Sequence, residues 1–228
     1  MDAVSVQEVS FAYGTNAKVL EIASFGASRG ERLFIHGPSG SGKTTFLGLL
    51  TGILSPQSGR VSILGQNISE LSPRQKDGFR SQHIGYIFQQ FNLIPYLSVI
   101  DNILLPLWMN KNRMKKIQSK KPAEEAEALA ERLGLIECIK KNVLELSVGQ
   151  QQRVAVARAL IGQPDLIIAD EPTSALDEDR QKEFIDLLLE KTESRKSTIL
   201  FVSHNQRLAA HFDRSISLGE MNTAKGLK

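Results

Sequence analysis

Gly37-Pro38-Ser39-Gly40-Ser41-Gly42-Lys43-Thr44 decides the reading of this chain. It fits the pattern G-x-x-x-x-G-K-[ST] at every position. Residues 32–35 before it (RLFI) are strand-like, and residues 46–50 after it (FLGLL) have helical character. A glycine-rich turn between a strand and a helix gathers backbone N–H groups and a helix N-terminus at one point. They can surround a compact polyanion if no side chain blocks the approach. Gly37, Gly40 and Gly42 leave that space, and Lys43 supplies a point charge for β- and γ-phosphates. The Thr44 hydroxyl, followed by Thr45, can ligate Mg2+. The stretch predicts a nucleoside triphosphate site. An ordinary strand-to-helix turn is the structural alternative, and the Lys43-Thr44 pair argues against it. The motif does not choose among kinases, GTPases and ATPases.

Working outward, strand-like and helix-like pieces alternate, which predicts α/β layering. Residues 4–11 (VSVQEVSF) alternate as a strand, and 59–64, 84–88 and 214–218 read as further strands. Residues 166–169 (LIIA) and 198–202 (TILFV) are continuous apolar runs, suited to strands buried on both faces. From about 91 to 160 no strand is expected. Residues 101–108, 123–133 and 153–161 read as helices, so a helical insertion interrupts the α/β core. Residues 220–228 read as a frayed tail. One biased segment, 111–121 (KNRMKKIQSKK), reads as a solvated helix end or loop. A contact with nucleic acid or anionic lipid is the weaker alternative, because aromatic residues to stack bases are missing.

Composition sets the outer bounds. The chain has 228 residues, 41% hydrophobic and 23% charged, enough to bury a core. Lys plus Arg is 28 and Asp plus Glu is 25, a net charge of +3 that does not by itself indicate a nucleic-acid binder. The single cysteine, Cys138, excludes an internal disulfide and suits a reducing compartment. No apolar run approaches the roughly 18–20 residues needed to span a bilayer, and the N-terminus does not read as a signal peptide. Any transport role is therefore expected to need a partner that does cross the membrane.

Residues 166–171 (LIIADE) place Asp170 and Glu171 at the end of a buried strand. In phosphate-loop enzymes such an Asp holds Mg2+, and the following Glu171 could orient the attacking water and accept its proton.

At this point the chain resembles a known family, the ATP-binding cassette (ABC) ATPases, through six motifs in the family's order. After the phosphate loop, Ile87-Phe88-Gln89 is similar to the Q-loop. Leu146-Ser147-Val148-Gly149-Gln150 is similar to the signature motif, and the Asp170-Glu171 pair follows. Ser174-Ala175-Leu176-Asp177 resembles the D-loop, and Ser203-His204 the switch histidine. Tyr13 stands where the family stacks a ring on adenine, with a core tyrosine as the alternative.

The resemblance implies an α/β phosphate-loop NTPase cassette over residues 1–228. It has a RecA-like core (about 1–90 and 161–220), an antiparallel β subdomain, and the helical insertion (about 91–160). It implies an ATP hydrolase using ATP and Mg2+, in which two copies pack head to tail. Ser147, Gly149 and Gln150 would face a γ-phosphate bound by the partner copy. Glu171 would act on water, with His204 at the γ-phosphate of its own site. Thr44, Gln89 and Asp170 would serve the metal, and Asp177 would reach across the dimer. Val148 departs from the family's glycine, which permits close backbone approach and positive φ. Retained function with altered clamp strength is the expectation, and an asymmetric partner with a better signature the second possibility.

Asn102-Ile103-Leu104-Leu105-Pro106, with residues 84–89, is most similar to the bacterial group of lipoprotein-releasing, macrolide-exporting and cell-division ATPases. Separate transmembrane subunits and a place on the cytoplasmic face of the inner membrane follow from that resemblance. Polar amino-acid importers share parts of the stretch. A soluble ABC ATPase acting on DNA or ribosomes is the remaining class, and no nucleic-acid partner is expected. His36, His83 and His211 read as structural or solvated, Cys138 as a packing residue, and Trp108 as core or partner surface.

Overall fold

The computed structural model describes residues 2–15, 17–117, 121–174, 176–193 and 197–224. The chain runs β1 (Asp2–Phe11), β2 (Leu20–Ser28), β3 (Arg32–His36), α1 (Lys43–Leu50), β4 (Ser58–Ile63) and β5 (Gln66–Asn67). It continues with α2 (Pro73–His83), β6 (Ile84–Ile87), α3 (Val99–Met109), α4 (Lys111–Lys115), α5 (Pro122–Arg132) and α6 (Val148–Leu160). The last elements are β7 (Leu166–Asp170), α7 (Glu178–Glu193), β8 (Thr198–Ser203), β9 (Arg214–Ser217) and α8 (Leu218–Met221).

Two sheets form. One is antiparallel, in the order β2-β1-β4-β5, and the other is parallel, in the order β6-β7-β8-β3-β9. The central strands of the parallel sheet explain the continuous apolar runs. Leu33, Ile35, Leu166, Ile168, Leu200 and Val202 face a core shared with α1 and the antiparallel sheet. Phe34, Ile167, Ala169, Ile199 and Phe201 face a second core shared with the helices. Successive side chains of a strand point to opposite faces, so a strand covered on both sides has no polar position to spare.

Local chemistry sets several boundaries. The helix read at 153–161 begins at Val148, because Ser147 caps it in a reciprocal pairing with Gln150. Ser98 starts α3 two residues earlier than expected by accepting from the Asp101 N–H. Five elements had no counterpart in the sequence reading, among them the two-residue β5 and the short α8. The other three are β2, whose alternation breaks at Ala23-Ser24, the polar surface helix α2, and α7, which buries Phe184, Ile185, Leu188 and Leu189 on one face.

Two expectations are corrected. Residues 220–228 are not a frayed tail as a whole. Glu220 and Met221 lie in α8, and Asn222 and Thr223 hydrogen-bond to Val19 and Glu21; residues 225–228 lie outside the described residues. The basic run 111–121 is not simply a solvated end, although residues 118–120 are outside the described set. Arg113 is 2% exposed and donates to the carbonyls of Ile161, Ile84 and Ala159. A guanidinium with five fixed donors can satisfy carbonyls left over at the end of α6, which a lysine could not do in that geometry. Burial lowers its pKa to about 10, with Asp165 pulling the other way. No described helix is long and apolar enough to cross a membrane.

Candidate functional site

The parallel sheet brings the sequence-distant motifs to one edge. Gly37 follows β3, Gln89 follows β6, Glu171 follows β7 and His204 follows β8, all at the carboxyl ends of their strands. In open α/β sheets that edge is where ligands bind. Val19, Ser39, Gly40, Gly42, Lys43, Thr44, Thr45, Gln89, Asp170 and Glu171 line one cleft there.

The phosphate loop is shaped for a polyanion. Gly42 is the N-cap of α1 with φ 92°, a conformation that side chains resist, and a Cβ there would lie 2.8 Å from Leu20 Cδ2. No side chain caps α1 and its first turn carries no acid, so the leading N–H groups have no competing anion. By contrast, Ser147 occupies the start of α6 with its own hydroxyl. Lys43 is buried, and its Nζ donates to Gly37 O (2.9 Å) and Pro38 O (3.1 Å). The Ser41 Oγ is buried without a hydrogen-bond partner, lying against Gly37.

Opposite the loop, Glu171 joins two other functional candidates. Its Oε1 is 3.2 Å from Lys43 Nζ, and its Oε2 is 3.2 Å from His204 Nδ1. Glu171 has φ 45°, a left-handed conformation that costs a residue with a Cβ about 1–2 kcal/mol. Two bonds hold it there: its N–H donates to Val202 O, and its carbonyl accepts from Ser174 N. Asp170 carries a raised pKa. Burial is the main cause, the Tyr86 hydrogen bond opposes it, and the Glu171 charge adds to it. Tyr86 OH donates to Asp170 Oδ2 at 3.2 Å, and burial raises the tyrosine's own pKa, so it remains a donor.

Gln89 Nε2 donates to Ser174 Oγ (3.3 Å), linking the residues after β6 to those after β7. Tyr13 is 48% exposed, pairs edge-on with Phe11, and hydrogen-bonds through its OH to Thr45 Oγ1 (3.1 Å). Its ring is therefore tethered at the cleft rather than packed in the core.

Other candidates do not meet this cleft within one chain. Ser147 and Gly149 line a separate pocket with Val148, Arg153, Arg180 and Phe184. Gln150 turns its side chain back to accept the Ser147 N–H (3.0 Å). Val148 is the first residue of α6, in ordinary helical conformation and 50% exposed, so the position does not require glycine's freedom. Asp177 accepts from Arg180 N ahead of α7 and is exposed; Ala175 lies outside the described residues. Pro38, Ser39, Gly40 and Ser41 also line a third pocket, with Gly219, Asn222 and Ala224.

The sequence reading missed Val19, Tyr86 and Asn222 at the site. Tyr86 pairs with Ile168 in the register of β6 on β7, which places it near Asp170. That adjacency follows from strand order, and no local pattern signals it.

Residues 20–174 match the model of the ABC transporter family. The chain belongs to the ABC transporter family and is an ATP-hydrolysing cassette. It is 39% identical over 202 residues to the lipoprotein-releasing system ATP-binding protein LolD of Hydrogenovibrio crunogenus, covering 89% of this chain and 86% of that protein. It is 38% identical to an uncharacterized ABC transporter ATP-binding protein of Escherichia coli, YbbA, covering 83% of this chain and 81% of that one. Among solved structures it is similar to the ATP-binding cassette MJ0796, a dimer in a post-hydrolysis state bound to ADP and Pi. There the TM-score is 0.79 at 32% identity, over 99% of both chains.

Proposed function

We propose that this cassette is the ATPase subunit of a membrane complex in the lipoprotein-releasing, macrolide-exporting and cell-division group. It would sit peripherally at the cytoplasmic face of the inner membrane and power separate transmembrane subunits. The observation that carries the reading is the linked arrangement of Lys43, Glu171 and His204 across a cleft whose floor is the phosphate loop. The relatives named for lipoprotein release support the subgroup.

In this reading the amides of residues 39–44 and the Lys43 ammonium bind the β- and γ-phosphates. The Thr44 hydroxyl, the Asp170 carboxylate and the Gln89 amide oxygen form an all-oxygen donor set in the same cleft, which suits Mg2+ better than a softer metal. When bound, Mg2+ would neutralise charge on the phosphate oxygens. Glu171 accepts a proton from water as the water oxygen bonds to the γ-phosphorus and the bond to the β–γ bridging oxygen breaks. His204 fixes the Glu171 carboxylate and donates toward the γ-phosphate. Tyr13 stacks on the adenine.

Ser147, Gly149, Gln150 and Asp177 are separated from this cleft in one chain, which supports a second copy supplying them. The dimeric state of the MJ0796 cassette supports the same arrangement. Residues 91–160 would form the subdomain that meets the membrane partner. A groove of about 500 Å3 beside Gln89 is lined by Ile84, Tyr86, Phe88, Leu105, Pro106 and Met109. Trp108 (52% exposed) and Met109 (74%) stand at its helix α3. Such an apolar trough suits a short cytoplasmic helix of a membrane subunit.

Two substitutions test the reading. Lys43→Ala should lower ATP affinity at least about tenfold, since a buried charge-assisted contact is lost. Met109→Asp should abolish co-purification with the membrane subunits while leaving the soluble ATPase within about twofold of wild type. Normal ATP binding in the first variant, or retained co-purification in the second, contradicts the corresponding part.

A further inference from the structure

We propose that Asn222, in the segment after α8, is a positioning residue for nucleotide binding: it fixes the Val19–Leu20 wall against the phosphate loop. This rests on the reading of the Lys43 loop as the ATP site. β2 is an edge strand in the order β2-β1-β4-β5, so one side of it is open. The Asn222 side chain closes that side in the manner of a neighbouring strand. Its Oδ1 accepts from Glu21 N (2.8 Å), and its Nδ2 donates to Val19 O (2.9 Å). Thr223 continues the pairing, its N–H donating to Glu21 O (2.9 Å) and its hydroxyl to the same oxygen (3.1 Å). On the other side Val19 N donates to Phe11 O (2.8 Å), so residues 19–21 are held from both edges.

What is held there touches the loop. Leu20 is fully buried, and its Cδ2 lies 2.8 Å from where a Gly42 Cβ would be. Val19 lines the cleft beside Lys43 and Thr44. At the loop's other end, Leu218, which begins α8, is fully buried with its Cβ 3.6 Å from a Gly37 Cβ position. The C-terminal segment thus supports the loop at its first glycine directly and at its last through Leu20. Preorganised donors bind an anion more tightly than donors that must first be ordered.

The test is ATP affinity by calorimetry together with steady-state turnover. Asn222→Ala should raise the ATP Kd about fivefold with kcat within about twofold, the scale of losing two neutral hydrogen bonds. Asn222→Asp keeps the acceptor for Glu21 N–H but sets a carboxylate oxygen against Val19 O beside the phosphate loop, and should raise Kd at least as much. Ile103→Val, in the helical region, controls for general destabilisation and should leave Kd unchanged. Unchanged Kd in both Asn222 variants overturns the proposal, as does an equal rise in Ile103→Val. Lys43→Ala separates the two claims. If it binds ATP normally the site reading fails, and if it alone loses binding only the role of Asn222 fails.

Discussion

At the residue scale, the proposed chemistry centres on Glu171. It is a carboxylate forced into left-handed backbone, held between Lys43 and His204 at the end of a buried strand. Glu171→Gln should keep ATP binding and lose turnover by about 10²-fold or more, measured as phosphate release, because an amide cannot take the proton from water. Val148→Gly should leave turnover intact or raise it, since Val148 is helical, half exposed and not needed for a positive φ. A large loss would show that the isopropyl group has a packing role. Lys43 and Glu171 were legible from local patterns, a phosphate-loop motif and a buried strand ending in carboxylates, whereas His204 was a candidate only through the family resemblance. Tyr86 and Asn222 were not, because their partners are 84 and more than 200 positions away. A long-range hydrogen bond leaves no periodicity in the residues that make it.

Among the elements, the strands β3, β7 and β8 were readable from their continuous apolar runs at 33–35, 166–169 and 199–202, since burial on both faces leaves polar residues only at the strand ends. The polar helix α2 carries no apolar stripe and the alternation of β2 breaks at Ala23-Ser24, so neither was; α7 was not read either, although Phe184, Ile185, Leu188 and Leu189 form a helical apolar stripe. Arg113 shows a basic run that also hides a structural part. Arg113→Ala should cost about 3 kcal/mol or more in urea unfolding, because buried carbonyls of α6 and β6 lose their donor. Nearby, Asp165 binds His83 Nδ1 and Lys116 Nζ, each at 2.7 Å. Burial would raise its pKa, but those two hydrogen bonds and charges outweigh it and hold it at about 2, below the ordinary 3.8. Its contribution to stability is therefore complete above about pH 4 and is lost as pH falls toward about 2. Acid titration of unfolding should show that loss in wild type and not in Asp165→Asn.

On the scale of the whole molecule, in the proposed reading the chain has two half-sites rather than one whole one. The Lys43 cleft and the Ser147 pocket share no lining residue, and in that reading each would supply what the other lacks. ATP would then act as the joint between two copies, and hydrolysis as its release, with the groove beside Gln89 passing the motion to a membrane subunit. The most direct measurement is the mass in solution of Glu171→Gln with saturating ATP and Mg2+, by sedimentation or light scattering. The account predicts a species of twice the 25.2 kDa chain mass that needs ATP and reverts to the single chain when Ser147→Arg is added. A single-chain mass at saturating ATP, or a dimer that survives Ser147→Arg, would contradict it.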